Sequence, residues 1–230
     1  MQLPIDGEVG ALSNYLHKFV IRRMIKEIEP YHPISIEGKL VSKGERECSD
    51  RWSVINEVIS ETPGSVLDLG CAEGYFVQRV AREHRCFVLG VDADVRRLTV
   101  AQDVSVFNKN ERAGFMYAHI THEFLKTLPT FDIVIFLSVL HHVMYEHGVD
   151  YAKEFMKIIR EKTAKSLIFD MGQSNETGMK WASLLPDMGT DPHEWIIGFL
   201  HSCGFSQVIK VGQTDAYKSN VSRAVFIVRP

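Results

Sequence analysis

The residues best suited to ligand chemistry lie between Val66 and Phe76, in the order Val-Leu-Asp-Leu-Gly-Cys-Ala-Glu-Gly-Tyr-Phe. Gly70 and Gly74 allow a tight backbone turn after an apolar strand and leave the first N–H groups of the following helix free. Ligands of open α/β sheets bind at such carboxyl ends of strands. The Asp-x-Gly-x-Ala-x-Gly spacing differs from the Gly-x-Gly-x-x-Gly of NAD and FAD sites, and no Gly-Lys-Ser/Thr follows to form a P-loop.

Two further elements support a ligand site at this edge of the sheet. Asp92 ends the next predicted strand, which begins at Val88, about 20 residues further along the chain. Its carboxylate can accept both hydrogen bonds of a ribose diol. A third apolar strand, from Phe131 to Leu137, ends at the same edge of the sheet and is followed there by Ser138.

In this order, the three elements resemble the class I S-adenosylmethionine-dependent methyltransferases over roughly Val66 to Leu140. The resemblance implies S-adenosyl-L-methionine as the cofactor. It places Gly70 and Gly74 against the methionine part, and it places Asp68 near the amino group and Asp92 on the ribose hydroxyls. The remaining residues of the expected cofactor site are Cys71, Ala72, Ala93 and Ser138.

The residue that contacts adenine is left unassigned. The family often has an acidic or amide side chain after the third strand, but this sequence has Ile120-Thr121-His122 there.

The stretch from Leu137 to Asp150 lies where an acceptor should meet the methyl group. It is similar to the same region of the O-antigen chain-terminating methyltransferase/kinases, whose methyltransferase half methylates a phosphate that caps a surface polysaccharide. The segment from Arg46 to Arg51 likewise resembles their Arg-x-Cys-x-x-Arg stretch. Methyltransferases of RNA 5′-monophosphates share a looser Ser-x-x-x-x-(Ile/Val) pattern here.

Two acceptor chemistries remain open. A phosphate oxygen is already anionic and needs only positioning and charge neutralisation. Arg46, Arg51, Lys39 and Lys43 could supply the charge, and the arginines suit a phosphate best. A hydroxyl acceptor needs a general base, and His141 and His142 are the candidate catalytic residues. The alternatives are a solvated surface for the two arginines and a packed pair for the two histidines.

Gln173, Glu176 and Trp181 follow a strand that ends at Asp170, so they are candidates for the acceptor pocket. The alternative is a loop that closes the core, with the tryptophan simply packed. No metal site is expected, because no carboxylate or cysteine spacing supports the histidines of this region.

The elements that would position these residues alternate between apolar strands and amphipathic helices, which predicts a central parallel sheet covered by helices. The last two strands, 205–211 and 224–228, have a short link without helical pattern, which predicts an antiparallel hairpin. The expected fold is therefore α/β: a three-layer Rossmann-like methyltransferase fold. It has a mostly parallel seven-stranded sheet, an antiparallel final strand, and an N-terminal helical cap (1–60) on the core (61–230).

Bulk composition is that of a globular protein, with 230 residues, 45% of them hydrophobic, and a net charge of -3. This charge argues against general nucleic-acid binding. Scattered cysteines, together with no signal peptide and no transmembrane segment, predict a cytoplasmic location. The oligomeric state is left open.

The sequence thus predicts a methyltransferase that O-methylates a sugar or phosphate group in cell-surface glycan biosynthesis, with a small-molecule or glycan acceptor. The alternatives are a small-molecule or RNA 5′-phosphate methyltransferase and a non-catalytic cofactor-binding partner. A NAD-dependent oxidoreductase conflicts with the glycine spacing.

Overall fold

The computed structural model describes residues 6–59, 64–216, 219 and 221–230, and the side chains from residue 17 onward. The strands are β1 (Ile34–Ile36), β2 (Lys39–Ser42), β3 (Ser65–Leu69), β4 (Phe87–Asp92), β5 (Ala113–Tyr117), β6 (Phe131–Leu137), β7 (Thr163–Asp170), β8 (Gln207–Asp215) and β9 (Ser222–Arg229). The α-helices are α1 (Asp6–Glu27), α2 (Ser49–Val58), α3 (Tyr75–Glu83), α4 (Val95–Phe107), α5 (His122–Thr127), α6 (Leu140–His147), α7 (Val149–Glu161) and α8 (Pro192–Ser202). A short 3-10 helix covers Ala182–Leu184.

Seven strands form the central sheet in the order β5-β4-β3-β6-β7-β9-β8. The five strands from β5 to β7 are parallel to their neighbours, and β9 runs antiparallel to both β7 and β8. The chain extends the sheet in one direction from β3 to β5 and in the other from β6 onward. A crevice for a ligand is therefore expected where β3 meets β6. The predicted fold, including the antiparallel final strand, is confirmed.

Strand β6 shows how the sheet is buried on both faces. Val134 and Phe136 pack into one apolar cluster, with Phe155 of α7. Ile133 and Ile135 alternate with them and pack into a second cluster on the opposite face. Since successive strand side chains point to opposite faces, a nearly continuous apolar run is the signature of such a strand.

The N-terminal cap packs on the outside of α4. Buried Ile21 and Ile25 of α1 join Val100 and Val104 of α4 in a third cluster. Helix α2 contacts β8 and β9. The predicted boundary between cap and core, at residue 60, lies outside the described residues.

Several elements differ from the expectations. Residues 31–47 contain the β1–β2 hairpin, which the sequence did not predict, and it did not predict α5 and α6 either. The last two strands are longer than predicted, because their ladder continues through the polar residues of the supposed link, up to the Asp215–Ser222 pair. In this part of the ladder the backbone N–H and C=O groups of the two strands pair with each other, and side-chain hydrophobicity gives no sign of that pairing.

Over the described residues, no helix combines the length and the apolar character needed to cross a membrane. All four cysteines are buried and free of disulfides.

Candidate active site

A cavity of about 810 Å³ opens at the carboxyl ends of β3, β4 and β6. Six predicted cofactor residues line it: Asp68, Gly70, Ala72, Asp92, Ala93 and Ser138. Of the predicted acceptor and catalytic residues, Arg51, His141, His142 and Trp181 line it. Residues that are far apart along the chain therefore line one cavity at this edge of the sheet.

The glycine turn forms the floor of the cavity. Gly70 has φ +81°, and a Cβ on it would lie 2.5 Å from Val139 Cγ2. The N–H groups of Gly70 and Cys71 both donate to the carbonyl oxygen of Val91, which fixes the turn to β4. Gly74 starts α3 at φ +74°, with Phe115 filling the space where its Cβ would be. Cys71 and Gly74 support the turn from behind and do not line the cavity.

Asp92 is held by two backbone groups. Its Oδ2 accepts a hydrogen bond from Ala72 N at 2.8 Å, and its Oδ1 accepts one from Asp94 N at 2.9 Å. Each carboxylate oxygen keeps capacity for a further hydrogen bond. The position and the remaining acceptor capacity suit a ribose diol.

Asp68 is buried beneath the turn, and no described residue forms a hydrogen bond with its Oδ2. Burial, followed by the nearby charge of Asp92, raises the pKa of Asp68 to about 7. A cationic ligand group placed here would satisfy this oxygen and stabilise the ionised carboxylate.

The segment Tyr31–His32 forms a wall of the cavity that sequence reasoning missed. The carboxylate of Glu73, inside the glycine turn, accepts hydrogen bonds from Tyr31 N and His32 N at 2.9 and 3.2 Å. Glu73 also pairs with Arg97 of α4. These contacts cross more than 40 residues, so no local pattern could reveal them.

Residues 119–121 form the wall for which no adenine contact was assigned. Thr121 Oγ1 is already an acceptor, because it caps α5 through Phe124 N. The side chains of His119 and Ile120 remain as the adenine-side candidates.

A buried ionic cluster lies at the ends of β6 and β7, around Asp170. Asp170 Oδ1 accepts hydrogen bonds from Ser138 N and Oγ at 2.6 and 2.8 Å. Ser138 Oγ in turn accepts from Arg46 Nη1 and Arg223 Nη1, both at 3.1 Å. Arg51 Nη1 lies 3.6 Å from Asp170 Oδ2. The Ser138 hydroxyl is therefore fully used inside the protein, in a backbone conformation with φ +59°.

The arginines of this cluster are not on a solvated surface. Arg46 is 5% exposed and Arg51 is 1% exposed, so the solvated alternative is wrong for both. Although burial opposes ionisation, Arg51 and then Arg46 hold the pKa of Asp170 below its ordinary value. Arg46 lies behind the cavity wall, whereas Arg223, which the sequence did not suggest, lines the cavity.

Gln173 and Glu176 are buried behind the cavity rather than on its surface. Glu176 forms a bidentate pair with Arg223, through Nε–Oε1 and Nη2–Oε2 contacts of 2.8 Å. Gln173 Nε2 donates to Ser222 O at 3.1 Å. Gln173 and Glu176 thus lie behind the part of the cavity wall that Arg223 forms and support it. Trp181 is on the wall itself, over Gly172, where a Cβ would lie 2.3 Å from the indole.

His141 and His142 lie together, with ring centroids 4.2 Å apart, but their environments differ. His141 is buried, and its Nδ1 accepts a hydrogen bond from Gly172 N. Burial holds its pKa well below the ordinary value, so the ring is neutral and carries its proton on Nε2. His141 is therefore placed to donate a hydrogen bond through Nε2, not to act as a base.

His142 is exposed to the cavity, and no hydrogen bond to its ring nitrogens occurs among the described residues. Desolvation, and then the charge of Arg223, lower its pKa. Of the two histidines, His142 is the one whose acceptor nitrogen is not engaged by another described residue, because Nδ1 of His141 already accepts from Gly172 N. In the described part of the chain, no cluster of three metal-ligating side chains is present.

Residues 67–165 match the model of the family described as a methyltransferase domain. Over 191 residues the chain is 30% identical to the O-antigen chain terminator bifunctional methyltransferase/kinase WbdD of Escherichia coli. That alignment covers 80% of this chain and 25% of WbdD, so the chain spans about a quarter of that relative. A tRNA U34 carboxymethyltransferase of Pseudoalteromonas translucida (strain TAC 125) is 31% identical over 139 residues, or 59% of this chain and 42% of the relative.

Two solved structures share the fold. The bifunctional kinase-methyltransferase WbdD superposes with a TM-score of 0.75 at 24% identity, over 91% of this chain and 46% of that one. The N-terminal domain of EvdMO1 with S-adenosylhomocysteine bound gives a TM-score of 0.67 at 18% identity, over 92% and 96% of the two chains.

The sheet order and the glycine turn are those expected of a class I S-adenosylmethionine-dependent methyltransferase, and residues 67–165 are similar to the methyltransferase-domain family. Within that class, the chain is similar to the methyltransferase portion of WbdD. S-adenosyl-L-methionine, the cofactor that the sequence predicts, fits the cavity. Asp68 has an unpartnered oxygen for an ammonium group, and Gly70 leaves room for close approach to the backbone.

We expect Asp92→Ala to lower affinity for S-adenosylhomocysteine by about 1–3 kcal/mol, because a charged acceptor of ribose hydrogen bonds is lost. Isothermal titration calorimetry measures the change. Asp132→Ala is the control, since Asp132 likewise accepts a backbone N–H, from Gly64, but at the opposite edge of the sheet. Unchanged affinity in folded Asp92→Ala would show that the ribose binds elsewhere.

Gly70→Val should abolish cofactor binding, because its side chain would collide with Val139 and the left-handed turn disfavours any Cβ. Gly189→Val is the matched control, with φ +66° but open space around the missing side chain. A thermal-shift titration with S-adenosylhomocysteine compares the two. Normal binding by a folded Gly70→Val variant would contradict the placement of the site.

Cofactor binding should release a proton from Asp68. Its raised pKa, about 7, keeps the carboxyl largely protonated at about pH 6, and a bound ammonium favours ionisation. Affinity should therefore rise with pH and level off above about pH 7. Calorimetry at about pH 6, in buffers of different ionisation enthalpy, should detect nearly one released proton for the wild type and none for Asp68→Asn. Equal proton release by both proteins would contradict the assignment.

Proposed function

We propose that this protein is an S-adenosylmethionine-dependent methyltransferase that O-methylates a sugar or phosphate group in cell-surface glycan biosynthesis, acting in the cytoplasm on a glycan or small-molecule acceptor. The observation that carries the proposal is the unpartnered imidazole of His142, which faces the cavity beside Arg223 and Trp181. These side chains line the same cavity as Gly70 of the glycine turn, so an acceptor and the cofactor could meet there.

When bound, the cofactor supplies a methyl group on a positively charged sulfur. The protein has to present an acceptor oxygen in line with that methyl group and exclude water. For a phosphate, the oxygen is already anionic and no base is required. For a sugar hydroxyl, the proton must leave as the new carbon–oxygen bond forms, and a free ring nitrogen of His142 can take it.

A phosphate acceptor is supported by the charge of the cluster around Asp170. Arg46, Arg51 and Arg223 face two carboxylates, Asp170 and Glu176, so three positive groups minus two negative groups leave one positive charge. Arg223 has its donors engaged by Glu176 and Ser138, so it would act through charge more than through free N–H groups.

A sugar acceptor is supported by the separate roles open to the two histidines. His142 is neutral near pH 7, because desolvation and Arg223 lower its pKa, so its free nitrogen is available as a base. His141 would position it, held by Gly172 N on one side and by Trp181 on the other.

The relatives support the same substrate classes. The name of WbdD describes an O-antigen chain terminator, and the N-terminal domain of EvdMO1 has a structure in the presence of S-adenosylhomocysteine and D-fucose. The tRNA carboxymethyltransferases make RNA a second candidate acceptor. A non-catalytic cofactor-binding role remains the alternative outside enzyme chemistry.

We also propose that the cap (1–60) and the core (61–230) act as one domain. Arg51 and His32 of the cap line the same cavity as Asp68 and Ser138 of the core. Neither part would form the site alone.

The acceptor chemistry can be separated with two variants, after glycan phosphates, unphosphorylated sugars and RNA 5′-phosphates have been screened for methyl transfer. On a sugar, His142→Ala should lower kcat/KM by about a hundredfold to ten-thousandfold. The wild-type rate should rise with pH through a pKa below the ordinary histidine value, and the variant should lose this limb. His147→Ala, on the rim of the same helix, should keep both the rate and the limb.

On a phosphate, the order reverses. Arg223→Lys should lower kcat/KM by about tenfold to a hundredfold, because the fixed guanidinium charge is displaced, while His142→Ala has a modest effect. Methylation of RNA alone would overturn the glycan proposal. Normal cofactor binding without methylation of any acceptor would support the non-catalytic role instead.

A further inference from the structure

Two lysines that the sequence suggested for phosphate contact do not line the cavity. Lys39 begins β2 and Lys43 follows this strand, and both side chains are exposed. The β1–β2 hairpin that carries them is fixed to α1, because Lys18 Nζ donates to both carboxylate oxygens of Glu37 at 2.8 Å. The two lysines therefore belong to the outer surface of the cap, beside α1.

The outward face of α1 is basic and contains an exposed phenyl ring. Ile21 and Ile25 are buried against α4, so the opposite side of the helix faces away from the core. Four exposed residues occupy that side at the helical spacing i, i+3, i+4 and i+7: Phe19, Arg22, Arg23 and Lys26. Phe19 is 64% exposed, and Leu40 of the hairpin is 57% exposed. The cap thus presents basic and apolar groups together.

Charge is distributed unevenly between this part of the cap and the rest of the chain. Residues 17–43 contain six lysines and arginines and three glutamates, a net charge of +3, whereas the whole chain has a net charge of -3. Lys18 and Arg23 each pair with a glutamate of the same segment. In the part of the chain that the structure describes, no ion pair engages the side chains of Arg22, Lys26 or Lys39. The positive charge is therefore available to an external partner.

We propose that this basic face of the cap binds the surface of a bilayer that contains anionic lipids. The face consists of the outward side of α1, from Phe19 to Lys26, and the β1–β2 hairpin. Anionic lipids attract lysine and arginine side chains, and an exposed phenyl ring can enter the headgroup region. The apolar side chains of Phe19 and Leu40 favour a lipid surface over a nucleic acid, which would bind mainly through its phosphates.

The basic face adjoins the cavity. Tyr31 and His32, which line the cavity, follow the last residue of α1, Glu27, after a short link. Docking would therefore keep the cap wall of the cavity close to the bilayer, where a glycan carried on a lipid would be presented. The use of the face rests on the proposed glycan function, whereas its charge and exposure do not depend on the acceptor.

Co-sedimentation with vesicles tests the proposal. The wild type should bind vesicles made of equal parts of phosphatidylcholine and phosphatidylglycerol, and it should not bind phosphatidylcholine alone. Binding should weaken as NaCl is raised from about 0.05 M to about 0.5 M, because salt screens the attraction. Arg22→Gln/Lys26→Gln should lower affinity for the mixed vesicles by about tenfold to thirtyfold, since each basic residue near the surface contributes about fivefold.

A second variant isolates the apolar contribution. Phe19→Ser should lower affinity by about tenfold, and this factor should change little with salt. Lys126→Gln/Lys153→Gln is the matched control, because it removes the same charge from α5 and α7, which pack into a different apolar cluster from α1. All three variants should bind S-adenosylhomocysteine as the wild type does, since none of the replaced side chains lines the cavity.

Equal binding to the two kinds of vesicle, no binding to the mixed vesicles, or an equal loss in the control variant would overturn the proposal. A dimer that Phe19→Ser dissociates, detected by light scattering, would also overturn it, because a second copy would then cover the face. Binding of single-stranded RNA in place of vesicles would assign the face to a nucleic acid instead.

The vesicle measurement needs no acceptor, so its failure can be told from a failure of the proposed function. Methylation of a soluble glycan should be the same in Arg22→Gln/Lys26→Gln and in the wild type. If no glycan were methylated at all, the vesicle result would still stand.

Discussion

The buried carboxylate of Asp170 is the constraint on which the site depends. It fixes the end of β6 through Ser138, and it attracts Arg51 from α2 and Arg223 from β9 into the core. Removing one partner of such a buried cluster costs about 3–5 kcal/mol, because the other charges are left uncompensated. The strand ends, the cap and the final hairpin are therefore tied to one another at the point where chemistry is expected.

A second carboxylate, Glu73, closes the opposite side of the cavity. It holds the backbone of Tyr31 and His32 and pairs with Arg97, so the cap is fixed to the glycine turn independently of Asp170. The cap is attached to the core at these two places, and between them it forms a wall of the cavity. Both connections are made by carboxylates of the core, Asp170 and Glu73. They explain why the segment around Tyr31 and His32, which has few hydrophobic residues, takes a defined position.

What the sequence predicted well was set by local patterns. The turn at Gly70 and the carboxylate of Asp92 follow from a strand, a tight turn and a helix in succession. The sequence did not reveal Arg223 and His32, because their hydrogen-bond partners lie far along the chain. Glu176, for example, precedes Arg223 by 47 residues. The sequence did not reveal the burial of Arg51 either, because an arginine near acidic residues is typical of a solvated surface. The burial follows only once the fold places Asp170 beneath this side chain.

The charges around Asp170 bear on the choice of acceptor. Arg46, Arg51 and Arg223 exceed Asp170 and Glu176 by one positive charge. An anionic phosphate would be attracted by this charge, and it needs no base. A neutral hydroxyl gains nothing from the charge, and it needs the acceptor nitrogen of His142 as a base. The two acceptor chemistries therefore depend on different side chains of the same cavity, so single variants can separate them.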